Sequence, residues 1–289
     1  MTSRSALALL AALAVTSARA EWEAGATAGV SYDNNLTRAQ DAVDKRAAAS
    51  VTANANASYF HPFAASDSAT FIANAGVEIF DRYSGLANAS VGGTATYRHK
   101  FGVGPLVPWV STSVHLAYEG YRESLRTSTF VDARAEAGTR ASEELDVSAA
   151  VYYERRYDNH GESIVPGISG KVFDLAGQGL DARAGYAMND ALYFDFKAGV
   201  RRGDVESTSQ RSLQIFLASS AITDDPVWGD PELYAYRLRG TTYTGALTAS
   251  YALSNRSSLD LAYQYAFTRA AQGLEYATNT VSLTFVYRH

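Results

Sequence analysis

The stretch that decides the fold is Val281-Ser282-Leu283-Thr284-Phe285-Val286-Tyr287-Arg288-His289. Val281, Leu283, Phe285 and Tyr287 share one parity, and Ser282, Thr284 and Arg288 share the other. Successive side chains of a β-strand point to opposite faces, so this is a strand with one apolar and one polar face.

The same unit recurs along the chain. In 259–268, Leu259, Leu261, Tyr263, Tyr265 and Phe267 oppose Asp260, Ala262, Gln264, Ala266 and Thr268. In 192–201, Leu192, Phe194, Phe196, Ala198 and Val200 oppose Tyr193, Asp195, Lys197, Gly199 and Arg201. Val147, Ala149, Val151 and Tyr153 oppose Asp146, Ser148, Tyr152, Glu154 and Arg156; Val110, Val114, Leu116 and Tyr118 oppose Ser111, Ser113, His115 and Glu119. Weaker versions cover about 22–33, 48–60, 69–81, 90–101, 127–140, 173–187, 235–253 and 274–289, giving twelve in all. Alternating segments of about ten residues are the signature of transmembrane β-strands. The expected fold is all-β: a transmembrane, antiparallel, up-and-down β-barrel of about twelve strands, a single domain over 21–289.

A soluble sandwich also alternates, but its strands average about five or six residues. These segments are longer, and Tyr32, Tyr59, Tyr118, Tyr153, Tyr186, Tyr251 and Tyr287 recur near their ends. The 19 Tyr and 3 Trp suit the aromatic girdles that border the apolar band of a membrane barrel. No stretch after residue 20 has the continuous apolar run of a membrane helix.

The first twenty residues read as a secretory signal. Arg4 supplies the positive start, 6–15 the apolar core, and Ala18-Arg19-Ala20 the small-x-small cleavage pattern. Export to the periplasm and insertion into the bacterial outer membrane are expected. The absence of Cys excludes disulfides, thiolate metal sites and an N-terminal lipid anchor on cysteine. Removing the signal deletes Arg4 and Arg19, so 25 − 2 = 23 bases face 30 acids, a formal charge of −7. A mildly acidic chain without a basic tract is not built for nucleic acid.

Connections alternate in length too. Those at 141–144, 189–190 and 254–257 are tight, and 61–68 and 102–108 are slightly longer; those at 34–46, 158–171 and 203–234 are long. Short periplasmic turns and long outer loops are usual for such barrels, and an even strand count puts both termini in the periplasm.

The inward parity carries Arg98, His115, Glu119, Arg134, Glu136, Arg140, Glu154, Arg156, Arg183, Asp195, Lys197 and Arg201 as lumen-lining candidates. Two readings follow. The charges pair across neighbouring strands and fill a narrow lumen, or some line a hydrated path, with the arginines forming a ladder for an anionic solute. The 203–234 loop offers Asp224, Asp225, Trp228 and Asp230 for a constriction at the mouth, or it packs as an outer cap. Its acids Asp224, Asp225, Asp230 and Glu232 do not match the spacing of a Ca²⁺ loop, so no metal and no cofactor is expected.

An outer-membrane lipid hydrolase needs Ser, His and a polar orienter at the membrane edge. Of His61, His99, His115, His160 and His289, only His99 has outward parity near a strand end, with no Ser placed beside it and no G-x-S-x-G. Enzymatic activity is not expected. Ala24, Ala26 and Ala28, Ala53, Ala55 and Ala57, and Ala133, Ala135 and Ala137 make parts of the outer face small, which suits close approach by a second copy.

The terminal Leu283-Thr284-Phe285-Val286-Tyr287-Arg288 resembles the closing-strand signal of Gram-negative outer-membrane β-barrels. Tyr32-Asp33-Asn34-Asn35, at the end of the first strand, is similar to the Tyr-Asp-x-Asn opening of β-barrel porin families found near exopolysaccharide or surface-protein export genes. The resemblance implies a pore or export role and no catalytic residue. The expected partners are outer-membrane lipids and lipopolysaccharide, the barrel-insertion machinery and small polar solutes. The leading expectation is a narrow passive channel; the alternative is a non-conducting structural or export-partner barrel of an envelope complex.

Overall fold

The computed structural model describes residues 21–158 and 161–289. The expected signal segment 1–20 and His160 lie outside the described residues. The strands are β1 (Glu21–Asp33), β2 (Ala48–Pro62), β3 (Asp67–Phe80), β4 (Asn88–Lys100), β5 (Trp109–Tyr121), β6 (Ser128–Arg140), β7 (Leu145–Asp158), β8 (Leu175–Ala187), β9 (Leu192–Ser209), β10 (Ala221–Asp224), β11 (Tyr234–Ser254), β12 (Ser257–Ala270) and β13 (Glu275–Arg288). Each pairs antiparallel with its neighbour, except that β9 pairs with β11 past the short β10. β13 closes on β1 from Gly25 opposite Arg288 to Asp33 opposite Thr280. The result is a closed twelve-strand barrel with one additional strand at the end opposite the chain termini.

Parity sets the two surfaces. Ala28, Val30 and Tyr32 of β1 stand opposite Phe285, Leu283 and Val281 of β13 on the outer face, and Thr27, Gly29 and Ser31 lie on the inner face. Large outward side chains such as Trp22, Val114, Leu180, Phe196 and Leu261 are exposed, as a lipid-facing wall requires. Trp22 stacks on Tyr59 with ring centroids 4.9 Å apart at one end, and Tyr32 lies ten residues along at the other. At about 3.3 Å per residue and a tilt of about 40°, that separation spans about 25 Å, the height of an apolar band.

The tight connections are built by short polar side chains bonding their own backbone. Asn189 Oδ1 accepts from Ala191 N and Leu192 N at 2.9 Å each. Ser142 Oγ accepts from Glu144 N and Leu145 N at 3.2 Å each. Both chain ends described lie at this turn end, where His289 N donates to Ala24 O at 2.9 Å.

Two expectations need correction. The strand at 192–201 runs on to Ser209, and its partner starts at Tyr234, so the connection expected at 203–234 is residues 210–233. Beyond the lipid band the outward residues Arg202, Asp204 and Glu206 face Thr241, Arg239 and Arg237, so both faces turn polar and the apolar alternation vanishes while pairing continues. The eighth strand begins at Leu175 rather than 173, because Phe173 is buried among Val172, Ala221 and Ala235 instead of joining the wall.

Ala24, Ala26 and Ala28 do face Ala57, Ala55 and Ala53 on the outer surface, and β3 extends the patch with Ala73 and Ala75. Ala133, Ala135 and Ala137 sit apart from it on β6, opposite Tyr153, Val151 and Ala149.

Candidate functional site

The interior is divided lengthwise. Charged and aromatic inward side chains concentrate on β5 to β9, and inward positions on β1, β2 and β11 to β13 are mainly Gly, Ala, Ser, Thr and Asn. On the charged wall, Arg134 Nη2 lies 2.8 Å from Asp181 Oδ2 and its Nε lies 4.0 Å from Glu136. Arg156 Nη2 lies 3.0 Å from Glu119, and Arg201 Nε donates to Glu154 Oε1 at 2.5 Å. Arg183 pairs with Asp195, which also has Lys197 Nζ at 3.7 Å. Arg140 stands opposite Asp146 in register, and Arg98 lies over the Trp109 ring at 4.2 Å. His115 Nδ1 is 2.9 Å from Thr94 Oγ1, with Asp132 opposite in register.

Of the arginines in the ladder reading, Arg134, Arg156, Arg183 and Arg201 each have a carboxylate partner. Each guanidinium is thereby held in place, and its field in the barrel interior is reduced. A cavity of ≈ 310 Å³ opens between Arg134, Glu136, Asp181, Arg183 and Lys197. Its lining comes from β6 to β9 alone, so this open space lies against the charged wall.

At the end opposite the tight turns, residues 210–233 fold into a cap. They form α1 (Leu213–Ala218), β10 and a 3-10 turn (Pro226–Trp228). Ser212 starts α1 by accepting from Ile215 N at 3.2 Å. The apolar residues Ile215 and Ile222 pack on Val205, Tyr236, Leu238 and Leu274, forming the largest buried cluster. Val227, Trp228 and Leu233 pack on Leu86 with Leu36, Phe80 and Tyr83, and the Trp228 ring meets Tyr83 edge-on at 4.8 Å. The hydrophobic core therefore lies under the cap rather than in the barrel.

Asp225 is the hub of that cap. It is 2 % exposed, and its Oδ2 accepts from Arg126 Nη2 at 2.6 Å, Thr208 Oγ1 at 2.8 Å and Trp228 Nε1 at 2.8 Å. Burial lowers the Arg126 pKa, opposed by the Asp225 charge beside it, and its guanidinium also lies 4.3 Å over Phe173. Every other outer connection touches the cap or the strand ends that carry it. Gln210 N donates to Asp44, Arg46 lies 3.3 Å from Asp230, Ile222 N donates to Ser169 O, and Gln214 donates to Gln272 O.

Of the loop residues singled out in the sequence, Asp225 and Trp228 thus hold the cap together, Asp230 ties it to residues 34–47, and Asp224 is exposed. The acids of the loop do not converge, and among the described residues no group of three or more His, Cys, Asp or Glu is placed to hold a metal. Sequence reasoning missed Thr208, at the end of β9, and Arg126 and Tyr83, which come from distant connections; no motif marks any of them.

His99, weighed above as a hydrolase residue, gains a partner the sequence reading did not name. Its Nδ1 lies 2.9 Å from Asp67 Oδ1, which also accepts from the Tyr97 hydroxyl. The register that sets Asp67 opposite His99 is the signal that would have found it. Ser66 Oγ, however, donates to Asp67 Oδ2 at 2.5 Å and not to the imidazole, so this pair lacks the nucleophile geometry of an acyl-transfer triad among the described residues.

No family model and no curated protein matches this sequence. Solved structures do match. An outer-membrane channel from Pseudomonas putida F1 superposes with a TM-score of 0.53 at 13 % identity, over 92 % of this chain and 96 % of that one. The NanC porin gives 0.49 at 8 % identity over 91 % and 98 %, and the outer-membrane channel DcaP of Acinetobacter baumannii gives 0.48 at 10 % over 94 % and 97 %. At 13 % identity the likeness to the Pseudomonas channel is one of fold.

Proposed function

We propose that this chain is an outer-membrane channel giving passive passage to small polar solutes, with its tight turns and both chain ends in the periplasm and its cap at the outer mouth. The observation that carries the reading is the exposure of Asn54, Asn56, Gln264, Arg183 and Lys197. All five point into a closed barrel, where interlocked side chains would have buried them, so their exposure supports a hydrated lumen.

The pairing of Arg134, Arg156, Arg183 and Arg201 favours uncharged or zwitterionic solutes over simple anions, because little unbalanced charge is left to select on sign. Ser, Thr and Asn on the opposite wall offer hydrogen bonds in place of a solute's water. Export through the 1–20 signal and insertion through recognition of the terminal strand belong to the same reading. So does contact between copies through the alanine patch of β1 to β3. An unchanged oligomer in Ala55→Trp would remove that contact.

The test is swelling of proteoliposomes in isotonic sugars of graded size. Uptake that falls steeply with solute size supports a narrow channel; no uptake of even the smallest solute contradicts it. One observation favours the second reading, a structural or export-partner barrel of an envelope complex: the cap is fastened to every neighbouring connection. Under that reading the barrel stays impermeable with the cap in place.

A further inference from the structure

A second cavity, of ≈ 270 Å³, lies between residues 34–47, the start of the cap and the inward-facing Ser207, Leu238 and Tyr276 at the capped ends of β9, β11 and β13. Asp44 lines it, is 3 % exposed, and has an Oδ1 without a hydrogen-bond partner among the described residues. Its other oxygen, Oδ2, accepts from Gln210 N at 3.2 Å. A buried acceptor left unpaired costs free energy, and a donor brought in by a ligand recovers it. We propose that this cleft binds the primary ammonium group of an aliphatic amine, with Asp44 as its anchor.

The polar groups around Asp44 explain why the ligand must be a donor. Ser207 Oγ donates to Arg38 O at 2.8 Å, Ser209 Oγ donates to Gln210 O at 3.1 Å, and Gln214 Nε2 donates to Gln272 O at 2.8 Å. Arg211 donates to the Tyr234 hydroxyl. These donors are directed to protein acceptors, while Asp44 keeps an unpaired Oδ1. The Asp41 and Asp44 carboxylates outnumber the one guanidinium in the lining, Arg211, so the cleft favours a cation over an anion.

The apolar surface explains why the cation is an alkylammonium. Ile215, Leu238 and Leu274 are buried at 4 %, 1 % and 7 % exposure and form one side of the cleft, and Val43 stands exposed at its rim. A methylene stem lies against these side chains while the head reaches Asp44, the division of labour that lysine side chains use. A sugar presents hydroxyls on all sides and would leave several unpaired against that wall. A divalent metal needs more oxygen ligands than the two carboxylates here.

Burial pushes the Asp44 pKa up, the Gln210 N–H opposes this, Asp41 raises it further, Arg46 lowers it and Asp230 raises it. A bound ammonium adds to the Arg46 charge and offsets the repulsion from Asp41 and Asp230. Because the cleft joins residues 34–47 to the first residues of the cap, an occupant bridges both and holds the cap in place.

The test is calorimetric titration of the full-length barrel in detergent with pentane-1,5-diamine, and separately with maltose. Saturable diamine binding is expected, at least tenfold weaker in Asp44→Asn and in Val43→Trp, which fills the rim without touching the buried wall. Heat-modifiable migration verifies that each variant is folded. Absence of saturable diamine binding by the unmodified protein, unchanged binding in either folded variant, or saturable maltose binding lost in the same variants overturns the proposal.

Discussion

Arg126 Nη2 lies 2.6 Å from Asp225 Oδ2 and fastens the turn between β5 and β6 to the cap. Both side chains are buried, at 12 % and 1 % exposure, and the same carboxylate oxygen holds Thr208 and Trp228. One aspartate therefore joins three separate parts of the outer end. The barrel wall, by contrast, is closed by backbone pairing alone and does not depend on it.

Asp225→Asn should release the cap and spare the barrel. Removing one partner of a buried pair costs about 3–5 kcal/mol, because the remaining Arg126 is left charged and uncompensated. Limited proteolysis should cut within residues 210–233 at least tenfold faster, while heat-modifiable migration stays as before. Equal cutting rates would mean that Asp225 does not hold the cap.

Trp228→Ala removes the edge-on contact with Tyr83 and the bond to Asp225 together. A buried Trp truncated to Ala costs about 3–5 kcal/mol, here charged to cap docking. Hydrogen exchange should accelerate in 210–233 and in the turn bearing Tyr83 and Leu86, and stay slow in β12 and β13. Acceleration confined to 210–233 would contradict the packing described.

The barrel was legible in the sequence for a physical reason: lipid on one side and water on the other force every second residue to differ. Leu259 to Phe267 and Asp260 to Thr268 therefore announced strand and orientation together. The cap was illegible because its determinants are long-range. Arg126 and Asp225 are 99 residues apart, and Asp44 and Gln210 are 166 apart. Each is an ordinary polar residue in its own segment. The extension of β9 to Ser209 was hidden because Arg202, Asp204 and Glu206 stand where lipid no longer demands an apolar face.

The charged wall was legible as a set, and its individual pairings were not. Parity gave Arg134 and Arg183 their inward direction, but only the register brings Asp181 and Asp195 to them. Asp181→Asn should leave Arg134 with only the more distant Glu136, at 4.0 Å, and shift the reversal potential in a salt gradient toward anion preference. Lys197→Glu should shift it the other way. If both variants keep the original reversal potential, the charged wall does not border the conducting path.

Ion conductance of the purified barrel in a planar bilayer, with and without residues 213–231, tests the central claim most directly. A hydrated lumen restricted by its cap predicts discrete, small current steps from the intact protein and larger, longer-lived steps after the deletion. No current from either form would contradict the channel, and equal currents from both would remove the cap from it.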